Sequence, residues 1–199
     1  MTVVQPTPQT KRPVGTVIKD FLTKYAFLYF ILFLVAGIII GFDQWTKAWV
    51  RTNVPIGSDW LPAKLAWLLP YARIRHWYNP GAAFGIFQNG NLVFTILAFI
   101  VIGLLLYYFP RVSHEGWWLR LAMSLQLAGA AGNLIDRLKF THVTDFISVG
   151  NFAIFNVADA SISTGVVVLV LGVLVMERAD KKKAAQAAAL AAESEARNE

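Results

Sequence analysis

Acidic and amide side chains gather at one end of each apolar run of this 199-residue chain: Asp43, Asn79, Asn133, Asp136, Asp145, Asn156 and Asp159. Carboxylates beside hydrocarbon are costly to keep ionised, so a cluster of them at a membrane marks a functional site. Asp145, in Val143-Thr144-Asp145-Phe146, and Asp159, in Phe155-Asn156-Val157-Ala158-Asp159, flank a tight return towards the last apolar run. Taken singly, the first would be a solvated loop residue and the second a helix cap or dipole partner. If they meet, two unit charges about 4 Å apart at an effective dielectric of about 20 repel by roughly 4 kcal/mol, or about three pKa units. One proton would then be shared, leaving one carboxylate to draw a proton from water and one acid to protonate the reacting group. That division of labour suits hydrolysis of a peptide bond.

The remaining polar motifs read as supports. Asp43 and Lys47 lie four apart where the first apolar run ends, a spacing that makes a helix-end ion pair and could brace a neighbouring cluster. Asn79-Pro80-Gly81-Ala82-Ala83-Phe84-Gly85 reads either as a plain turn before a helix or as a place where backbone approaches a partner, with Asn79 able to donate and accept. In Gly129 to Arg137, Asn133 is followed by Asp136 and Arg137, a neighbouring pair expected to be structural and to orient other groups. Ala128 and Gly132 have the small-xxx-small spacing that lets a second helix come close beside Asn133.

The elements that must position these groups are membrane helices. Hydrophobic residues make up 56% of the chain and its mean hydropathy is +0.52, above the composition of a soluble domain. Tyr25 to Phe42, Leu92 to Phe109, Trp117 to Ile135 and Val157 to Met176 are each close to the length needed to cross a hydrocarbon core. The first lacks the features of a cleaved leader and is expected to remain as an anchor. An even number of crossings puts both termini on one side, and Lys11, Arg12, Lys19 and Lys24 before the first span with Arg178 and Lys181 to Lys183 after the last make that side cytoplasmic. The expected organisation is a cytoplasmic tail over residues 1–24, a membrane domain over 25–176 and a second cytoplasmic tail over 177–199. Residues 1–9 read as disordered, and the Ala, Lys and Glu-rich end as a solvent-exposed helix or frayed tail.

Between the first two spans, residues 43–90 form the one sizeable extramembrane segment. Ser58 to Tyr71, with two Trp and several Leu, suits a helix lying in the interface. Arg73 to Tyr78 suits a short exposed strand, stopped by Pro80-Gly81. The chain has no cysteine, and its three histidines have no metal-ligand spacing, so no cofactor is expected. The net charge of +6 is accounted for by the flanks and by anionic lipid, with no nucleic acid required.

Asp43-Gln44-x-Thr46-Lys47, Asn79-x-Gly81-Ala82-Ala83-Phe84, Gly132-Asn133-x-x-Asp136-Arg137, Val143-x-Asp145-Phe146 and Phe155-Asn156-x-Ala158-Asp159, in this order, resemble the bacterial lipoprotein signal peptidase (signal peptidase II) family. The resemblance covers about residues 25 to 176. It implies an all-α inner-membrane aspartic endopeptidase of four transmembrane helices, with a small β-cradle and an interfacial helix on the periplasmic side built from the 43–90 segment. It also implies prolipoprotein substrates cut just before a diacylglyceryl-modified lipobox cysteine, and inhibition by globomycin-type cyclic peptides. By position in the motifs, Asp145 and Asp159 would be the catalytic pair. Asn79, Gly81, Ala82, Asn133, Arg137 and Asn156 would bind substrate or order the site, and Asp43, Lys47 and Asp136 would support it. A monomer in contact with membrane lipid is expected. Pro80 departs from the family pattern, where Thr is common, and removes a backbone donor.

Two other readings are compatible with polar residues in a membrane chain. A small transporter or channel would spread them through the bilayer depth, yet the middles of the second and fourth spans are apolar. A non-catalytic assembly factor would use Trp60, Trp67 and Trp77 as interface anchors and the Gly/Ala face for a partner helix, and would tolerate loss of either aspartate.

Overall fold

The computed structural model describes residues 14–81, 90–112 and 116–198. Three helices are long and apolar enough to cross a membrane, over Tyr25–Asn53, Asn91–Arg111 and Val157–Leu190. They belong to α1 (Val14–Asn53), α2 (Asn91–Val112) and α4 (Val157–Asn198). Their outward faces carry Phe27, Phe30, Ile38, Leu92, Phe99, Val167 and Leu171, all exposed. Such a surface would aggregate in water and is at home in hydrocarbon.

The third of the four expected apolar runs forms α3 (Trp117–Phe140), a helix of 24 residues. It packs against α1, α2 and α4. Its polar residues therefore face protein instead of lipid: Ser124, Asn133 and Asp136 are all buried in it. At the end away from the polar cluster, Leu28, Leu32 and Ala36 of α1 meet Phe109 of α2 and Met123, Leu127 and Ala128 of α3 in one apolar core. Leu28, Leu32 and Ala36 recur at every fourth residue, one stripe of a straight helix.

α3 and α4 approach most closely where side chains are smallest. A Cβ on Gly129 would lie 2.4 Å from the Ala158 carbonyl oxygen, and one on Gly132 would lie 2.8 Å from Asp43 Oδ2. Gly129 thus admits the start of α4 and Gly132, one helical turn on, makes room for Asp43 of α1, with Ala128 buried beside them.

α1 does not stop at Phe42, where its apolar run was expected to end. It continues to Asn53, and Val50 on this extension and Val54 just after it pack against Phe146 beneath a three-stranded antiparallel sheet ordered β1 (Asp59–Trp60), β2 (Ala72–Asn79), β3 (Val143–Val149). The third strand comes from outside the 43–90 segment, which alone was expected to build the cradle. Val143 to Phe146 are buried, so the strand shows no alternation of apolar and polar residues by which it could be read. The β2–β3 register pairs Trp77 with Asp145 and Asn79 with Val143, with an irregularity between Ile74 and Trp77.

The interfacial helix is a 3-10 helix over Ala63–Leu68, shorter than the expected Ser58 to Tyr71. Pro62 opens it and Pro70 follows it; each disfavours the α conformation in the residue before it, leaving too little chain for an α-helix. The C-terminal segment continues α4 as a helix to Asn198. Residues 1–9, Ala82 and the Phe84-Gly85 end of its motif lie outside the described residues.

Candidate active site at the sheet end of the bundle

Asn156 and Asp159 form a reciprocal cap on α4. The Asp159 N–H donates to Asn156 Oδ1 at 2.9 Å, and the Asn156 N–H donates to Asp159 Oδ2 at 3.2 Å. This is the capping-box arrangement with an amide at the N-cap and a carboxylate at the third helical position. A third donor of the same helix end, the Ala158 N–H, is accepted by Asp43 Oδ1 of α1 at 2.9 Å. The helix start that carries Asp159 is thereby fixed from its own side chains and from a neighbouring helix.

Asp145 approaches from β3. Its Oδ1 accepts from Asn156 Nδ2 at 2.7 Å and its Oδ2 from Asn79 Nδ2 at 2.9 Å. Asp159 Oδ1 accepts from Asn133 Nδ2 at 2.7 Å. Asn156 Nδ2 also reaches Asn133 Oδ1 at 3.1 Å, so two amides join the two carboxylates.

The three amides cannot turn round, because each oxygen is held by a group that can only donate. Asn133 Oδ1 accepts from the Lys47 ammonium at 3.0 Å, Asn79 Oδ1 from the Gly81 N–H at 3.0 Å, and Asn156 Oδ1 from the Asp159 N–H. Each NH₂ is thus left facing a carboxylate. At Asn79 this is an Asx turn closing over Pro80, whose missing N–H is not needed there.

Lys47 belongs to a second, wholly buried set of charges. Its ammonium lies 2.9 Å from Asp43 and 3.4 Å from Asp136, and all three side chains are inaccessible to solvent. Gln44 Nε2 donates to Asp136 Oδ1 at 3.1 Å and to the Gly132 carbonyl at 3.0 Å. Asp136 Oδ2 accepts the Thr144 N–H at 3.0 Å, and Arg51 reaches both Asp136, at 3.7 Å, and Thr144 Oγ1, at 3.0 Å. The strand residue next to Asp145 is therefore pinned to α3 and α1. Asp136 and Arg137, adjacent in sequence, diverge: Asp136 enters this cluster while Arg137 reaches the Gly81 carbonyl at 3.5 Å and lies over the Phe94 ring.

Gln44, Arg51 and Thr144 are positioning residues to which the sequence alone assigned no role, although Gln44 stands in one of its motifs. The repeat of Asp43, Lys47 and Arg51 at every fourth position was the available signal for Arg51, but it required knowing that α1 continues to Asn53.

Asp145 and Asp159 both open onto one cavity of about 640 Å³. Asn79, Gly81, Asn133 and Arg137 supply its polar lining, and Phe94, Val143, Phe152, Ile154 and Ile162 are among its apolar walls. Burial pushes the Asp145 carboxyl up to about 7, and the charge of Asp159 adds to the rise. Hydrogen bonds from Asn79 and Asn156 and the Lys47 charge oppose it. An acid poised there can hold or release a proton at neutral pH, while the cavity has room for a peptide segment and a water. Among the described residues no group of three or more His, Cys, Asp or Glu could hold a metal ion.

A family model described as signal peptidase (SPase) II matches residues 35–175, which include every residue of the cluster. A lipoprotein signal peptidase of Streptococcus thermophilus is 38% identical over 135 residues, covering 67% of this chain and 85% of that protein. That of Bartonella tribocorum is 38% identical over 152 residues, covering 71% and 86%. That of Shouchella clausii is 37% identical over 151 residues, covering 75% and 97%. Two solved structures described as a bacterial membrane enzyme superpose with TM-scores of 0.66 and 0.64, both at 32% identity and covering 72% of this chain.

Proposed function

This chain belongs to the signal peptidase II family, and from that membership we propose that it is an intramembrane aspartic endopeptidase that removes signal peptides from prolipoproteins. The cut falls just before a diacylglyceryl-modified lipobox cysteine. The observation that carries the mechanism is the common cavity of Asp145 and Asp159, with donors fixed on both carboxylates and one of the two acids held near neutrality.

In the proposed reaction the ionised member of the pair takes a proton from a water lodged between the carboxylates, and that water attacks the scissile carbonyl carbon. The protonated member hydrogen-bonds the carbonyl oxygen and then a proton passes to the leaving amine, so the pair returns to its singly protonated state. Asn79, Asn133 and Asn156 hold the carboxylates, Gly81 presents backbone beside them, and Arg137 faces the bound chain. Asp43, Lys47 and Asp136 keep the helix start and strand in place. The substrate's two acyl chains lie in the bilayer, each buried CH₂ contributing about 0.8 kcal/mol, which brings the bond to the depth of the carboxylates.

The membrane arrangement proposed with it has α3 as a fourth crossing, screened from lipid by the other three helices. Residues 25–176 then form the catalytic domain in the bacterial inner membrane. The termini are cytoplasmic and the sheet is periplasmic, by the basic flanks at Lys11 to Lys24 and Arg178 to Lys183. The polar cluster's confinement to one end of the bundle supports an enzyme over a transport path.

The test is incubation of purified protein with a diacylglyceryl-modified precursor peptide and its unlipidated twin, with products read by mass spectrometry. A single cut before the modified cysteine, absent or far slower in the twin, is expected. No cleavage of the lipidated peptide, together with ion flux in liposomes, would replace this reading with a transporter.

A further inference from the structure

The cavity at the two aspartates continues into a groove of about 320 Å³ between α2, α3 and α4, sharing Phe94, Asn133, Arg137, Asp159 and Ile162 with it. Away from the carboxylates its walls are Leu97, Ala98, Val101 and Ala130, apolar except for one residue, Gln126. Gln126 lies on the face of α3 that carries Asn133, two helical turns away, roughly 10 Å at about 1.5 Å per residue. Its stem is accommodated by Gly165 of α4, where a Cβ would lie 3.0 Å from Gln126 Cγ. Among the described residues, no hydrogen bond is made by its amide.

Gln126 is half-buried where it lines this groove, and an amide among apolar walls is costly unless something polar meets it. A signal peptide that stayed helical would satisfy its own main chain and offer the groove only apolar side chains. An extended segment leaves N–H and carbonyl groups free. At about 3.3 Å per residue, three residues of extended chain cover the same rise as the two turns from Asn133 to Gln126.

Resting on the function proposed above, we propose that Gln126 is a substrate-positioning residue that hydrogen-bonds the main chain of the signal peptide about three residues before the cleaved bond. The peptide is extended from the aspartates to Gln126 and helical only beyond it. Recognition at this depth therefore reads backbone conformation: sequences that stay helical up to the cleavage site lose this bond.

The experiment uses the full-length protein, a lipidated precursor peptide, and the same peptide with an ester in place of the amide three residues before the cut. The ester removes the N–H and weakens the neighbouring carbonyl as an acceptor. In the unmodified protein the ester should raise KM roughly three- to tenfold, the range of one hydrogen bond. Gln126→Met, close in volume, should raise KM for the ordinary peptide by a similar factor with little change in kcat, and should show no further rise with the ester. Gln126→Leu gives the same reading should the Met variant fold poorly. Equal responses of both proteins to the ester, or an unchanged KM in the variants, would overturn the proposal while leaving the peptidase reading intact. Failure of the unmodified protein to cleave the lipidated peptide would overturn both.

Discussion

Asn156 Nδ2 lies 2.7 Å from Asp145 Oδ1, and the Asn156 amide cannot be reversed because its own Oδ1 receives the Asp159 N–H. One residue thus caps the helix that carries one aspartate and donates to the other. The separation of the two acids is set by a helix start that its own side chains and Asp43 of α1 hold in place. Replacing Asn156 by Ala should cost about 1 kcal/mol as a lost cap but far more in turnover, because Asp145 loses a donor and the pair loses its spacing. Thermal unfolding and cleavage rates, measured on the same preparation, separate the two effects. A rate within about twofold of the parent would contradict the assignment.

The ionisation of Asp145 makes a pH prediction. Its carboxyl, ordinarily near 3.8, is raised to about 7, so the folded chain keeps a proton that the unfolded chain has released. The stability associated with that proton is fully present below the ordinary value and is lost as pH rises through about 7. Cleavage should fall on the alkaline side of the same pH, where the pair loses the proton it shares. The unfolding temperature of Asp145→Asn should lack this loss across neutrality. A parent protein whose rate is flat well past that point would show that no shared proton is involved.

Lys47 has no route to solvent and holds Asp43, Asp136 and Asn133 together. Lys47→Met leaves two buried carboxylates without their cation, which costs about 3–5 kcal/mol in comparable cases. It also removes one of the two donors that hold Asn133 Oδ1, leaving only Asn156 Nδ2. The expected result is a protein with a markedly lower unfolding temperature and negligible cleavage; full stability in detergent would mean that water reaches the cluster.

Gly129 tests the packing that sets the site. A methyl group there would sit 2.4 Å from the Ala158 carbonyl oxygen, a backbone atom in the first turn of α4. Gly129→Ala should destabilise by about 1–3 kcal/mol through overpacking and slow cleavage by moving Asp159 away from Asp145. The same change at Gly37, which has nothing within 4 Å, should leave cleavage unchanged and should not lower the unfolding temperature.

The chain of evidence from sequence was strongest where one residue type had one use. Four apolar runs could be counted, and the acids and amides near their ends could be expected to gather, as they do at the sheet end of the bundle. The cap reading of Asp159 and its proposed chemistry turn out to be compatible, since Oδ2 caps the Asn156 N–H while Oδ1 faces Asn133. What could not be read was pairing over distance. Asp43 accepting the Ala158 N–H joins residues 115 apart, and nothing local marks it. The strand at Val143 to Val149 was hidden because burial on both faces erases alternation. The orientation of each asparagine depended on which donor-only group would sit behind it. α3 also has a physical reason for its weak apolar signal, since a helix packed against three others is free to carry Asn133, Asp136 and Arg137.

The most direct measurement is turnover of a lipidated prolipoprotein peptide by purified Asp145→Asn and Asp159→Asn beside the parent, with folding checked by thermal unfolding. The shared-proton account predicts that each variant stays folded and that neither cleaves. Near-normal turnover by either variant would contradict it.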